Sequence, residues 1–122
     1  MTTSTYVLDA RTVTPHFPGI GRYVANLAPA LAAQLAHDER LLILHAPDAA
    51  PRLAAAAGPQ VMLRETALSP FGLQQQWAMP RLLRELEGAG GGPAAVYHRT
   101  YYLMPYSLDL ATVLTFYDLI TL

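Results

Sequence analysis

Cysteine is missing from all 122 residues, which excludes a disulfide framework, a thiolate metal site and a cysteine nucleophile together. Lysine is missing too, so the eight basic residues are all arginine. Either arginine is favoured for forked recognition of phosphate or carboxylate, or the composition as a whole leans toward Ala and Arg. The Ala run 54–57 and the even spread of arginines favour the second. Charge of either sign is sparse, at 14% of residues with a net charge of -1. Without clustered cations to release counterions from a phosphate backbone, no nucleic-acid partner is expected. No stretch reaches the roughly 18 apolar residues of a spanning helix, and the opening MTTSTYVLDART carries no basic n-region followed by an apolar core. A soluble, cytoplasmic protein is the expectation. His37 and His45 have no partner at metal-ligand spacing, and Ser4, Ser69 and Ser107 lie in no G-x-S-x-G turn. Neither a metal site nor a serine triad is expected.

What remains is an ordinary globular composition, 52% apolar, sized for one domain with a real core. Thr5 to Ala10 (TYVLDA) reads as a buried strand followed by a Pro/Gly-bearing loop. From Gly21 onward Val24, Leu27, Leu31 and Leu35 recur every three or four residues, the stripe of a helix, with Pro29 expected to bend it. Arg40 to Ala46 (RLLILHA) is nearly continuously apolar, as a strand covered on both faces of a parallel sheet would be. Pro47 to Ala57 reads as a short Ala-rich helix stopped by Gly58-Pro59, and Gln60 to Glu65 as a third strand. Phe71 to Glu87 spaces Leu73, Trp77, Leu82, Leu83 and Leu86 helically, with a break or kink expected at Pro80. Gly88 to Pro93, with four glycines in six residues, is a flexible connection rather than a phosphate loop. Ala94 to His98 and Ala111 to Tyr117 complete the strands, joined by the aromatic segment Arg99 to Tyr106.

This alternation predicts an α/β fold: a Rossmann-like open parallel sheet with helices on both faces and a crevice at the carboxyl ends of the strands. The chain ends at Ile120-Thr121-Leu122, a few residues past a core strand and without a covering helix. The expectation is therefore a domain of residues 1–122 that is the first part of a larger protein. An uncovered strand edge would be a template for pairing two copies.

The segment HFPGIGRYVANL, His16 to Leu27, joins the first strand to the first helix, where amides and the helix dipole favour an anion. It fails as a dinucleotide fingerprint. Gly19-Ile20-Gly21 is a lone G-x-G, Val24 occupies the third glycine position, and His45 ends the second strand where a ribose-binding acid should stand. A nicotinamide-dependent oxidoreductase is thus disfavoured.

Five stretches in order, VLDAR at Val7 to Arg11, GIGRYVANL at Gly19 to Leu27, LQQQWAMPRLL at Leu73 to Leu83, VYHRTYYLMPY at Val96 to Tyr106 and VLTFYDLITL at Val113 to Leu122, resemble the N-terminal part of family-4 retaining glycosyltransferases, in their mannosyltransferase-like branch. The resemblance implies the acceptor-side half of a GT-B fold, whose C-terminal nucleotide-sugar domain is absent from these residues, so that this chain alone would not catalyse transfer. It implies a GDP- or UDP-sugar donor and a glycan or lipid-linked acceptor, retention of configuration, no cofactor, and peripheral contact with the inner face of the membrane. Gly19, Ile20 and Gly21 would match the family's glycine-rich loop, and Arg22 is either a forked cation for phosphates or a solvated arginine. Tyr117 stands where relatives commonly carry a sugar-contacting His, and keeps a hydroxyl but no imidazole. Asp118 would bind a sugar hydroxyl or cap the next turn. His98 would contact an acceptor hydroxyl or be satisfied by backbone. Tyr97, Tyr101, Tyr102 and Tyr106 divide between sugar stacking and core packing, and Leu73, Trp77 and Leu83 are expected to pack their helix rather than meet a membrane. A standalone Rossmann-like binding or interaction module without catalysis is the rival reading.

Overall fold

A computed structural model describes residues 4–15, 18–69, 72–86, 94–100 and 110–115. Five strands form one all-parallel sheet: β1 (Ser4–Ala10), β2 (Glu39–His45), β3 (Val61–Glu65), β4 (Ala94–Arg99) and β5 (Ala111–Leu114). Their order across the sheet is β3-β2-β1-β4-β5, so the first strand in sequence is central in space. Among the described residues two α-helices, α1 (Pro18–Ala33) and α2 (Gln75–Leu86), and a 3₁₀ helix (Ala50–Ala56) lie between the strands. The Rossmann-like open sheet expected from the alternating pattern is thus the fold.

Alternation along the central strands assigns the faces. Leu8, Ala10, Leu41 and Ile43 pack with Val24 and Ala28 of α1 and with Leu53 and Ala56 of the 3₁₀ helix. Val7, Leu42, Leu44 and Tyr97 pack on the other face with Met79 and Leu83 of α2. The connections β1-α1-β2 and β2 to β3 step one way across the sheet and lie on one face. The connection from β3 back to β4 steps the other way and carries α2 on the opposite face, as right-handed crossovers require.

Several local expectations are corrected. α1 begins at Pro18 rather than Gly21, because proline is suited to the first helical position, where its missing N–H costs nothing. Pro29 lies inside α1, and α2 runs from Gln75 to Leu86 through Pro80 with no break in the helix. Packing of Met79 and Leu83 on the sheet holds α2 together across the missing hydrogen bond. The Ala-rich segment is a single 3₁₀ piece, entered through Pro47-Asp48 with Asp48 at φ 66°, a left-handed conformation that aspartate tolerates. Leu83 packs in the core as expected, but Leu73 is 80% exposed and Trp77 66% exposed. The glycine-rich connection 88–93 lies outside the described residues.

Candidate functional site

The carboxyl end of β1 is the centre of the sheet's crevice edge, and two structures are built there. One is the turn into α1. After Ala10 the backbone closes with Val13 N–H donating to Ala10 O at 3.0 Å, and Val13 is buried beneath the helix start. Gly19, Ile20 and Gly21 lie in the first turn of α1 rather than in a loop. The amides of Gly19 and Ile20 are among the first N–H groups of a sixteen-residue helix, which have no helical partner one turn back. No acidic side chain occupies that turn, so nothing within it offsets the positive end of the helix dipole.

The two glycines differ. Gly19 is exposed and a methyl group there would meet nothing within 4 Å, whereas Gly21 is buried with Val13 Cα at 3.6 Å and Thr14 O at 3.8 Å from an added Cβ. Gly21 therefore seats the helix closely on the preceding turn, in ordinary van der Waals contact. Thr14 Oγ1, in the same turn, is a buried polar atom without a hydrogen-bond partner. Arg22 follows on the exposed side, and its carbonyl accepts a hydrogen bond from Asn26 Nδ2 at 2.9 Å.

The second structure is a fully buried ionic cluster on the α2 face of the same strand ends, and the sequence reading missed it. Asp9 Oδ1 accepts from Arg11 Nε at 2.8 Å and from the Arg11 backbone N–H at 3.2 Å. Asp9 Oδ2 accepts from Arg11 Nη2 at 2.6 Å, from Arg99 Nη1 at 3.1 Å and from the Tyr97 hydroxyl. Arg11 extends the cluster to the segment before α2 and to the first residue of that helix, donating through Nη1 to Ser69 O at 3.2 Å and through Nη2 to Gln75 Oε1 at 3.1 Å. Thr100 Oγ1 donates to Asp9 O at 2.7 Å and stands 3.1 Å from Thr12 Oγ1. The ends of β1 and β4 are thereby fixed to one carboxylate, and Arg11 ties the segment after β3 to them.

Burial alone would push the Asp9 carboxyl up. The Arg11 guanidinium with its hydrogen bonds, then Arg99 and Tyr97, outweigh it and hold the group at about 2. The Tyr97 hydroxyl is pushed well above the usual phenol value, first by burial and then by the Asp9 charge. Asp9 is an anion and Tyr97 a neutral donor throughout the physiological range. Tyr97 is fully buried and so belongs to the core half of its aromatic cluster. Tyr101, Tyr102 and Tyr106 lie outside the described residues.

His98 is in register with Leu8 and Val113 and points to the α1 face. Its Nε2 is 2.8 Å from Thr115 Oγ1, a side-chain partner rather than backbone, and burial lowers its pKa. It lines an apolar groove of about 390 Å³ together with Val96, Val113, Leu31, Leu35 and Tyr6. The end of α1 that closes this groove is the one opposite Gly19. Gly19, Ile20, Gly21 and Arg22 therefore share one turn, while His98 stands in a separate groove. Tyr117 and Asp118 lie outside the described residues.

His45 ends β2 as expected, buried, with Nδ1 2.9 Å from Ala46 O. A carbonyl can only accept, so Nδ1 carries the proton, and the position offers no carboxylate for a ribose. Among the described residues no group of three or more His, Asp or Glu could hold a metal ion. Fold and crevice together define an α/β open-sheet protein with a helix N-terminus at the end of its central strand. No family model, curated protein or solved structure matches this chain.

Proposed function

We propose that this chain is the acceptor-side half of a retaining glycosyltransferase of the GT-B type, in which the first turn of α1 meets the phosphates of a GDP- or UDP-sugar across an interdomain cleft. The observation that carries the reading is the build of that turn: Gly19 exposed with open space around it, the helix-start amides of Gly19 and Ile20, no acid in the turn, and a buried Thr14 hydroxyl without a partner beside it. Arg22 adds a guanidinium one residue on. In this reading the amides stabilise the diphosphate as negative charge develops on the leaving group. The residues that hold the donor base and sugar belong to a further domain, so residues 1–122 bind donor weakly and do not transfer it alone. Tyr117 and Asp118 remain the proposed sugar contacts, and the acceptor is a glycan or a lipid-linked saccharide.

Titration of the ¹⁵N-labelled chain with GDP-mannose and UDP-glucose tests this. Amide shifts confined to Gly19, Ile20, Gly21 and Arg22, in fast exchange, are expected, and inorganic diphosphate should reproduce part of them. If no donor and no diphosphate moves those amides, the turn is structural and the reading fails. The groove at His98 supports the rival reading, a binding module without transfer. Shifts at Val96, His98 and Val113 without any at Gly19 to Arg22 would favour it.

A further inference from the structure

The groove on the α1 face of the sheet is apolar along most of its length and polar at one end. Its apolar walls include Leu8, Leu31, Leu35, Leu41, Val96 and Val113, around a volume of about 390 Å³, at the lower end of the range for small-molecule sites. The polar end is formed by Tyr6 and Glu39, near the amino ends of β1 and β2, and by Gln34, just past α1. There the Tyr6 hydroxyl donates to Glu39 Oε2 at 2.5 Å and the Ala36 N–H donates to Oε1 at 2.7 Å. These two bonds, Tyr6 first, hold the carboxyl below its usual value, so Glu39 is an anion at pH 7. Each oxygen keeps a further lone pair. No cation stands among the lining residues. α1 ends at this groove with no basic residue in its last turn, so nothing within that turn offsets the negative end of its dipole. Asp38, one residue before Glu39, adds a second carboxylate that acts on the Tyr6 hydroxyl. Arg40 lies on the opposite face, in register with Thr5, and His37 is exposed in the turn before β2. His98, further along the groove, has its pKa lowered by burial and is neutral at pH 7.

We infer that this groove binds a small primary amine, with an aliphatic or arylalkyl body against Leu31, Leu35, Val96 and Val113 and its ammonium on the Glu39 carboxylate beside the Tyr6 ring. Charge selects this occupant. The carboxylate, the face of an aromatic ring and the carbonyl end of a helix each favour a cation, and all three meet at the same end of the groove. A carboxylic acid or a phosphate ester would face like charge there with no guanidinium to offset it. A neutral apolar molecule would gain the apolar contact alone. The site lies at the far end of α1 from its first turn, about 24 Å along a helix of sixteen residues. The inference therefore holds whether or not that turn meets phosphate.

Octylamine, octan-1-ol and octanoate carry the same apolar chain with a positive, a neutral and a negative head, and each is titrated at pH 7 into the ¹³C,¹⁵N-labelled chain. Methyl shifts at Leu31, Leu35, Val96 and Val113 should show octylamine binding about fivefold more tightly than octan-1-ol, as a partly exposed ion pair allows, and octanoate more weakly than both. Added salt should narrow the gap between amine and alcohol. Glu39→Gln should bring octylamine down to the octan-1-ol value and leave octan-1-ol unchanged, which also shows that the groove still forms. Gln34→Arg, at an exposed position where the end of a helix suits arginine, should set a guanidinium beside Glu39 and invert the order, octanoate above octylamine. Should Glu39→Gln lose octan-1-ol as well, the wild-type order and Gln34→Arg decide. Octanoate binding the wild type as tightly as octylamine overturns the inference, as does an amine preference that survives Glu39→Gln, or the absence of groove shifts with all three probes. Groove shifts that grow with protein concentration before any probe is added would overturn it in favour of a second copy.

Discussion

Replacing Asp9 with asparagine removes one charge while keeping the shape of the side chain. In the native cluster Oδ2 faces three donors, Arg11 Nη2, Arg99 Nη1 and the Tyr97 hydroxyl, and Oδ1 faces two, the backbone N–H and Nε of Arg11. An amide nitrogen in either place therefore points its hydrogens at donors, and no flip of the amide escapes. The Arg11 guanidinium is also left buried without its counter-charge. Breaking a buried pair from one side costs about 3–5 kcal/mol. A domain of 122 residues has a stability of about 6–18 kcal/mol in all. At about 4 °C per kcal/mol for a domain of this size, Asp9→Asn should lower Tm by about 12–20 °C at pH 7.

A second readout isolates the charge. The carboxyl is held at about 2 in the folded chain, below its ordinary 3.8. A depressed carboxyl contributes stability that is fully present above the unfolded value and is lost as pH falls through the folded one. The wild type should therefore lose about 2 kcal/mol between pH 4 and pH 2 through this group, and the variant should not. Urea unfolding followed by circular dichroism at a series of pH values gives both numbers. A loss under about 1 kcal/mol at pH 7, or acid limbs of the same slope in wild type and variant, would refute the account of the cluster.

Gly19→Ala should raise stability by about 0.5–1 kcal/mol, because the position is helical, open and does not use a left-handed φ; destabilisation in thermal melts would count against the helix starting at Pro18. The same variant should weaken the amide response to GDP-mannose if the turn approaches phosphate, which separates stability from binding. The His98 ring should titrate by NMR with a midpoint below the ordinary 6.5, since burial penalises its charged form. Stability drawn from this group should accordingly fall as pH drops from the ordinary histidine value toward the lower folded one, and a midpoint at or above 6.5 would show the ring to be solvated.

Where the signal is local, the sequence is readable. β1 and β2 are dense apolar runs because each is covered on both faces, and α1 declares itself through Val24, Leu27, Leu31 and Leu35 because one face of a helix repeats within four residues. At Pro80 the helix runs on without a break, because packing of Met79 and Leu83 outweighs one lost hydrogen bond. Trp77 misled because an apolar side chain at helical spacing does not reveal whether its face meets the sheet or solvent. The Asp9 cluster was hidden by distance, since Asp9 and Arg99 are ninety residues apart in sequence. Its one local trace is a pair of same-face charges, Asp9 and Arg11, at the end of an otherwise apolar strand, mirrored by Tyr97 and Arg99 on β4. Of the candidate site, the helix following β1 was legible, although its start lies at Pro18 and so takes Gly19 to Arg22 into the helix. That His98 belongs to a separate groove could not be read, because only the register of β4 against β1 and β5 reveals it.

The central place of β1 also sets an order of events during synthesis. Its neighbour β2 emerges about thirty residues later, but β4 follows only after a further fifty residues or so, so the sheet cannot close around β1 until most of the chain exists. A carboxylate on such a strand would wait, half desolvated, for a cation from the far end of the chain. Arg11, two residues from Asp9, removes the wait. The strand carries its own counter-ion from the ribosome onward, and Arg99 arrives to a site already neutralised.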